Sequence, residues 1–143
     1  MPSVVLVGDG GAFAAQLGEL GIDVAHSVET ASSPVFVGGL GSDGPAALLH
    51  GARDDVAGVV GIDCEPPVEA ARAGELRAPV LAVFAEADEG AAYSFAKALG
   101  AHGVLNETVV YDEVERGFFG RHEQATADVW RLLRRFMGVP APE

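Results

Sequence analysis

The chain has 143 residues, a formal net charge of −12 and a single cysteine, Cys64. One domain is the natural count at that length, and a lone cysteine excludes an intramolecular disulfide and a cysteine-based zinc site. With 9 basic residues against 21 acidic ones, and no basic cluster larger than Arg134-Arg135 with Arg131 one turn back, the chain lacks the positive footprint that nucleic-acid backbones and anionic membranes require, so neither partner is expected.

Apolar residues make up 49% and charged residues 21%, an ordinary globular composition. The 19 glycines sit mostly where an apolar run hands over to a helical pattern, which marks loops and not low complexity. No apolar run approaches the roughly 18 residues of a membrane span. Met1-Pro-Ser-Val-Val enters an apolar run at once, without the basic start and cleavage site of a secretory signal. A soluble, cytoplasmic protein is expected, with one domain over residues 1–138 and a flexible tail over 139–143.

In chain order, Val4 to Val7 is a short continuous apolar run, the mark of a strand buried on both faces. Gly8 to Gly11 ends it. Ala12 to Leu20 carries Phe13, Leu17 and Leu20 on one helical face, and Gly21 stops that helix. Ile22 to Ala25 is a second strand. The polar link Ser27 to Pro34 is too short for the crossover that parallel strands need, so a helix is missing there. Val35 to Val37 is the third strand. The glycine-dense turn Gly38 to Gly44 follows it, and then a helix from Pro45 to Ala52.

Val56 to Ile62 is the fourth strand, Val68 to Leu76 a short helix, and Pro79 to Phe84 the fifth strand. Gly90 to Leu99 is a helix with Tyr93, Ala96 and Leu99 on one face. Glu107 to Tyr111 is the sixth strand. Gln124 to Met137 is the last helix, with Ala127, Trp130, Leu133 and Phe136 spaced by three. Alternation of this kind specifies an α/β fold, a doubly wound parallel sheet with helices on both faces. Its functional crevice lies beyond the carboxyl ends of the strands. The candidates there are Gly8 to Gly11, His26 and Ser27, Gly38 to Asp43, Asp63 and Cys64, Ala85 to Glu89, and Asp112 to His122.

Several segments follow one known order: Val56 to Ile62, Ala78-Pro-Val-Leu-Ala-Val-Phe-Ala-Glu-Ala-Asp88, Val109 to Tyr111 with Gly117-Phe118, and Ala127 with Trp130 through Phe136. Together they resemble the dienelactone hydrolase family of the α/β-hydrolase fold, and the similarity reaches more weakly over Val35 to Ala46 and Phe13 to Val24. The resemblance implies a shortened family member that keeps six parallel strands in the order 2-1-3-4-5-6. Loss of the excursion at Ser27 to Pro34 would thin the cover on one sheet face. Exposed apolar surface of that kind is commonly buried by a partner, so a homodimer is expected.

The resemblance also implies a nucleophile on the turn after the third strand, an acid after the fifth and a histidine after the sixth. The acid position is Asp88, for which capping of the next helix is the bland alternative. The histidine position falls on Arg116, which stays protonated and cannot act as a base; it can only pair with Asp88 or bind an anion. The nucleophile position, aligned on Gly38 and Ala46, falls on Leu40, with Gly41 beside it in the crevice. A turn shifted by two residues would instead offer a Ser42–Asp88–His122 triad. Against that, Ser42 also reads as a helix N-cap and His122 as a solvated residue at the start of the last helix.

Two function classes follow. One is a non-catalytic relative that keeps a crevice of Gly10, Gly11, Leu40, Gly41, Cys64 and Arg116 for a small-molecule ligand or for assembly. The other is a small serine hydrolase acting on esters or lactones through Ser42, Asp88 and His122. A weaker third reading places a nucleotide or other anion on the Gly8–Gly11 loop, where Phe13 stands in place of the third glycine of a dinucleotide fingerprint. Cys64 reads as a buried thiol. His26, His50, His102 and His122 show no metal-ligand spacing, so no metal and no cofactor are expected.

Overall fold

A computed structural model describes residues 2–8, 11–25, 27–31 and 33–139. Met1, Asp9, Gly10, His26, Ser32 and residues 140–143 lie outside the described residues, and with them the crevice assignment of Gly10, His26, and most of the expected tail. Six strands, β1 (Ser3–Leu6), β2 (Asp23–Ala25), β3 (Val35–Leu40), β4 (Gly58–Ile62), β5 (Val80–Ala85) and β6 (Asn106–Tyr111), form one parallel sheet in the order β2-β1-β3-β4-β5-β6. That is the order the resemblance implies. β4 and β5 are buried throughout, and β3 up to Leu40. Strands covered on both faces need such unbroken apolar runs.

Helices α1 (Gly11–Glu19) and α5 (Glu123–Met137) cover one face, where Phe13, Leu17, Val129 and Leu133 pack on Phe36, Ile62, Leu81 and Val83. Helices α2 (Gly44–Leu49), α3 (Val68–Arg72) and α4 (Glu89–Ala101) cover the other, where Leu48, Ala71, Phe95 and Leu99 pack on Val37, Val59, Val80 and Phe84.

Three details depart from the sequence pattern. β3 runs three residues past Val37 because α2 lies directly on Gly39 and Gly61. A Cβ on Gly39 would come within 3.0 Å of Ala47 Cβ, and one on Gly61 within 2.7 Å of Leu48 Cδ1. The glycines there permit close packing of a helix on the sheet and do not end the strand.

The buried stripe of α4 is Ala92, Phe95 and Leu99, while Tyr93 is 70% exposed. That of α5 is Ala125, Val129, Leu132, Leu133 and Met137, with Ala127 exposed and Trp130 and Phe136 half-buried. A strict spacing of three rotates about 60° per step around a helix of 3.6 residues per turn, so it cannot hold one face. The chain also stays packed through Val139. Gly138 takes a left-handed C-cap (φ 73°) and the Val139 N–H donates to Arg134 O at 2.8 Å, so residue 139, placed in the expected tail, is held against α5.

No helix forms among the described residues of the link 27–34. Ser27 and Thr30 share a hydroxyl hydrogen bond of 2.9 Å, and Arg53 beyond α2 ties Glu29 and Asp55 together. Val28 and Ala31 pack onto the core from here, but the cover is thin. Val4 on the α1–α5 face is 3% exposed, whereas Val5 and Val7 on the opposite face are only half-buried. No described helix is long and apolar enough to cross a membrane.

Candidate functional site

β3 passes into a tight turn over Gly41–Asp43 and then directly into α2. This is the strand–turn–helix elbow that displays a nucleophile at the top of an α/β sheet. Its apex is Gly41, with φ 54°, in the left-handed region that strains any residue with a Cβ. A Cβ built on Gly41 meets nothing within 4 Å. Leu40, one residue earlier, is still extended (φ −113°, ψ 146°) and packs into the α1–α5 core. The apex therefore falls one residue beyond the position that alignment on Gly38 assigned. The adjacent pair Gly38-Gly39 offers two registers, and the close passage of the turn selects the second: a Cβ on Gly39 would lie 2.5 Å from Asp43 O.

Ser42 follows the apex inside the turn and caps nothing. Neither the turn nor α2 has a side-chain cap hydrogen bond, so the N-cap reading of Ser42 is corrected. Asp43 stands two residues after the apex, where a small residue is the rule. It is accommodated because its carboxylate packs against Gly8 (φ 81°), which has no side chain in the way. An anion approaching the Gly8–Gly11 loop from that side would meet a like charge. Gly11 itself begins α1 with φ 43°.

Across the crevice, Asp88 closes the turn Glu86–Asp88 after β5 and is 8% exposed. Arg116, in the loop after β6, donates to it through Nε (2.9 Å to Oδ2) and Nη2 (2.5 Å to Oδ1). The planar guanidinium fork matches the carboxylate at both oxygens, and this bonding raises the pKa of Arg116 still further. The acid that would orient an imidazole is thus occupied by a permanent cation.

A third carboxylate organises the same loop, and sequence reasoning gave it no role. Asp63 directly follows β4 with φ 56°, is 7% exposed, and accepts hydrogen bonds from Gly117 N (2.9 Å) and Phe119 N (3.2 Å). Aspartate tolerates the left-handed conformation better than most residues. The available signal was an acidic residue closing a fully apolar strand.

These elements enclose a cleft of about 390 Å³ lined by Gly41, Ser42, Pro45, Asp63, Cys64, Glu65, Arg116 and Gly117. Cys64 is 2% exposed and fills the space beside Gly44, where no Cβ would fit. Burial first, then the carboxylates of Asp63 and Asp88, push its thiol up to about 12. It therefore stays protonated near neutrality and is a packing group rather than a thiolate.

His122 lies elsewhere. It caps α5, with Nδ1 accepting from Ala125 N at 3.1 Å, and lines a separate cleft of about 520 Å³ with Tyr111, Asp128 and Arg131. Tyr111 donates to Asp128 there, and Arg131 binds the other carboxylate oxygen. Ser42 and Arg116 thus share a cleft with Asp88 behind it, while His122 is committed to a helix end. No hydrogen bond joins Ser42, Asp88 and His122 among the described residues. Nor do those residues contain a cluster of side chains able to hold a metal ion.

No family model matches the sequence, and no curated protein matches it. Solved structures do. A dienelactone hydrolase from Anabaena variabilis ATCC 29413 aligns over 95% of this chain and 85% of its own, with a TM-score of 0.72 and 17% identity. An esterase from Pyrobaculum calidifontis aligns over 97% and 77%, with a TM-score of 0.73 and 14% identity. Est1E from Butyrivibrio proteoclasticus aligns over 96% and 88%, with a TM-score of 0.66 and 12% identity. The chain has the α/β-hydrolase fold.

In an α/β-hydrolase the catalytic groups follow the chain order nucleophile, acid, histidine. Here the apex is Gly41, the acid position is Asp88, and its partner is Arg116. The geometry leaves a cleft of about 390 Å³ between the elbow and the Arg116 loop. It places no nucleophilic side chain at the apex and no imidazole on the acid.

Proposed function

We propose that this chain is a non-catalytic relative of the dienelactone hydrolases and esterases, which holds a small molecule in the cleft without cleaving it. The observation that carries the reading is the apex itself: Gly41 adopts the elbow conformation and has no side chain. The position opposite supports it, because Arg116 remains protonated and cannot accept the proton that a general base removes. General acid–base catalysis alone is worth roughly 10²–10⁴-fold in rate, and an apex glycine removes the covalent step as well.

The competing serine-hydrolase reading needs Ser42, Asp88 and His122 to meet. It would require release of His122 from the start of α5 and of Asp88 from Arg116. A fluorophosphonate probe with a panel of activated esters separates the two. Absence of both labelling and turnover is expected. Stoichiometric labelling that disappears in Ser42→Ala would overturn the non-catalytic reading.

A further inference from the structure

Away from the elbow, α1 and α5 lie side by side on one sheet face, and a second cleft of about 340 Å³ opens between them. Glu19 and Leu20 line it from the end of α1, and Ala127, Trp130, Arg131 and Arg134 from α5. We infer that this cleft binds a free α-amino acid as its zwitterion, with Arg134 taking the carboxylate and Glu19 the ammonium.

Two N–H donors of the residues in its wall have no partner. Trp130 Nε1 and Arg134 Nε are buried and make no hydrogen bond, whereas buried donors are nearly always paired. Trp130 cannot turn to find an acceptor, because its ring packs against Phe13 and Phe119 at centroid distances of 5.3 and 5.8 Å. Arg134 belongs to the largest basic cluster of the chain but differs from its neighbours there. Arg131 is held by Asp128 and Arg135 by Glu107, while no described carboxylate pairs with Arg134. A ligand carboxylate matches the planar guanidinium fork at both oxygens and brings an acceptor to the wall that lacks one.

A carboxylate alone does not suit the charge of the cleft. Asp128 already neutralises Arg131, so among the described lining residues Arg134 is the one uncommitted cation and Glu19 the one uncommitted anion. Both face the same cleft, and no salt bridge joins them. A simple anion therefore meets repulsion from Glu19, and a simple cation meets it from Arg134. A zwitterion sets an opposite charge against each. Leu20 and Ala127 supply apolar surface for an aliphatic side chain. The volume is near the lower end of the roughly 300–1,000 Å³ that small-molecule sites span, which suits a single amino acid.

Trp130 is the single tryptophan of the chain, so the one indole N–H resonance of the ¹⁵N-labelled protein reports on this cleft. Leucine, N-acetyl-leucine and leucinamide are titrated at pH 7; the first carries both charges, the second only the negative and the third only the positive. Leucine is expected to shift the indole resonance and to bind at least tenfold tighter than either analogue. Arg134→Gln should remove its advantage over leucinamide, and Glu19→Gln its advantage over N-acetyl-leucine. Should the Arg134 variant fail to fold, Glu19→Gln decides alone, because Glu19 is exposed at the end of its helix. Either analogue binding as tightly as leucine, an unchanged preference in Glu19→Gln, or no shift of the indole resonance in millimolar leucine would each overturn the inference. None of these outcomes depends on whether the elbow cleft is catalytic.

Discussion

At the elbow, Gly39, Gly41 and Gly44 shape the backbone by having no side chains, whereas across the cleft Asp63, Asp88 and Arg116 shape it through side-chain hydrogen bonds. The first region is set by sterics. Gly39 is hemmed in by Asp43 O, Gly44 by Cys64, and only Gly41 faces open space. The second is set by pairing, in which Asp63 holds two backbone N–H groups and Asp88 holds a guanidinium. The difference teaches that elbow geometry and catalytic chemistry are separable. The turn depends on glycines at 39 and 44, and neither the apex residue nor the group opposite it enters that requirement.

The largest expected effect is a gain. Combining Gly41→Ser with Arg116→His places a hydroxyl in the open space at the apex and an imidazole beside Asp88. Fluorophosphonate labelling should rise from none to stoichiometric, and mass spectrometry should find the adduct on residue 41. A folded double variant that remains unlabelled would break the assignment of Gly41 as apex. Next, Gly39→Val should cost about 3 kcal/mol by overpacking, while Gly41→Ala should cost about 1–2 kcal/mol, the strain of a left-handed residue with a Cβ. Urea midpoints measure both, and equal losses would undo the steric contrast within the elbow.

On the paired side, Asp63→Ala should cost about 2 kcal/mol, since it strands the N–H groups of Gly117 and Phe119. Asp63→Asn keeps an acceptor and should cost about half of that. Hydrogen exchange at those two amides should quicken in the first variant, and unchanged exchange would show that the loop is held by something else.

Arg116→Ala should cost about 1–2 kcal/mol. That is less than the loss of a fully buried pair, because Arg116 is half exposed and solvent screens it. The smallest effect is alkaline. The folded thiol of Cys64 sits near 12, above its ordinary 9.0, so its contribution is complete below pH 9 and is lost as pH rises toward 12. The unfolded chain releases the proton first, giving about 1 kcal/mol of loss by pH 10. Cys64→Ala should flatten that part of the stability–pH curve, and identical slopes would place the thiol in a wetter site.

The alternation of strands and helices was legible in the sequence because it rests on local pattern, whereas the strand order and the acid position came only from the family resemblance. Continuous apolar runs between helical periods specify a parallel sheet, and Asp88 closes the run from Pro79 to Phe84. The apex was not legible, because Gly38 and Gly39 are interchangeable until α2 is laid on the sheet. The buried stripes of α4 and α5 were misread where a spacing of three was followed around the helix instead of down one side. Asp63 was placed at the crevice but left without a role, since the amides it holds lie more than fifty residues further along the chain.

By itself, then, the sequence determined the alternation of strands and helices and the elbow as the centre of the molecule, both read over a few neighbouring residues, while the family resemblance pointed to Arg116 at the histidine position. Only the tertiary structure decided that Gly41 is the apex, that Arg116 spends its fork on Asp88, that Asp63 clamps the loop between them, and that His122 serves a helix end. Each depends on backbone approach or side-chain pairing between segments that meet only once the sheet is assembled.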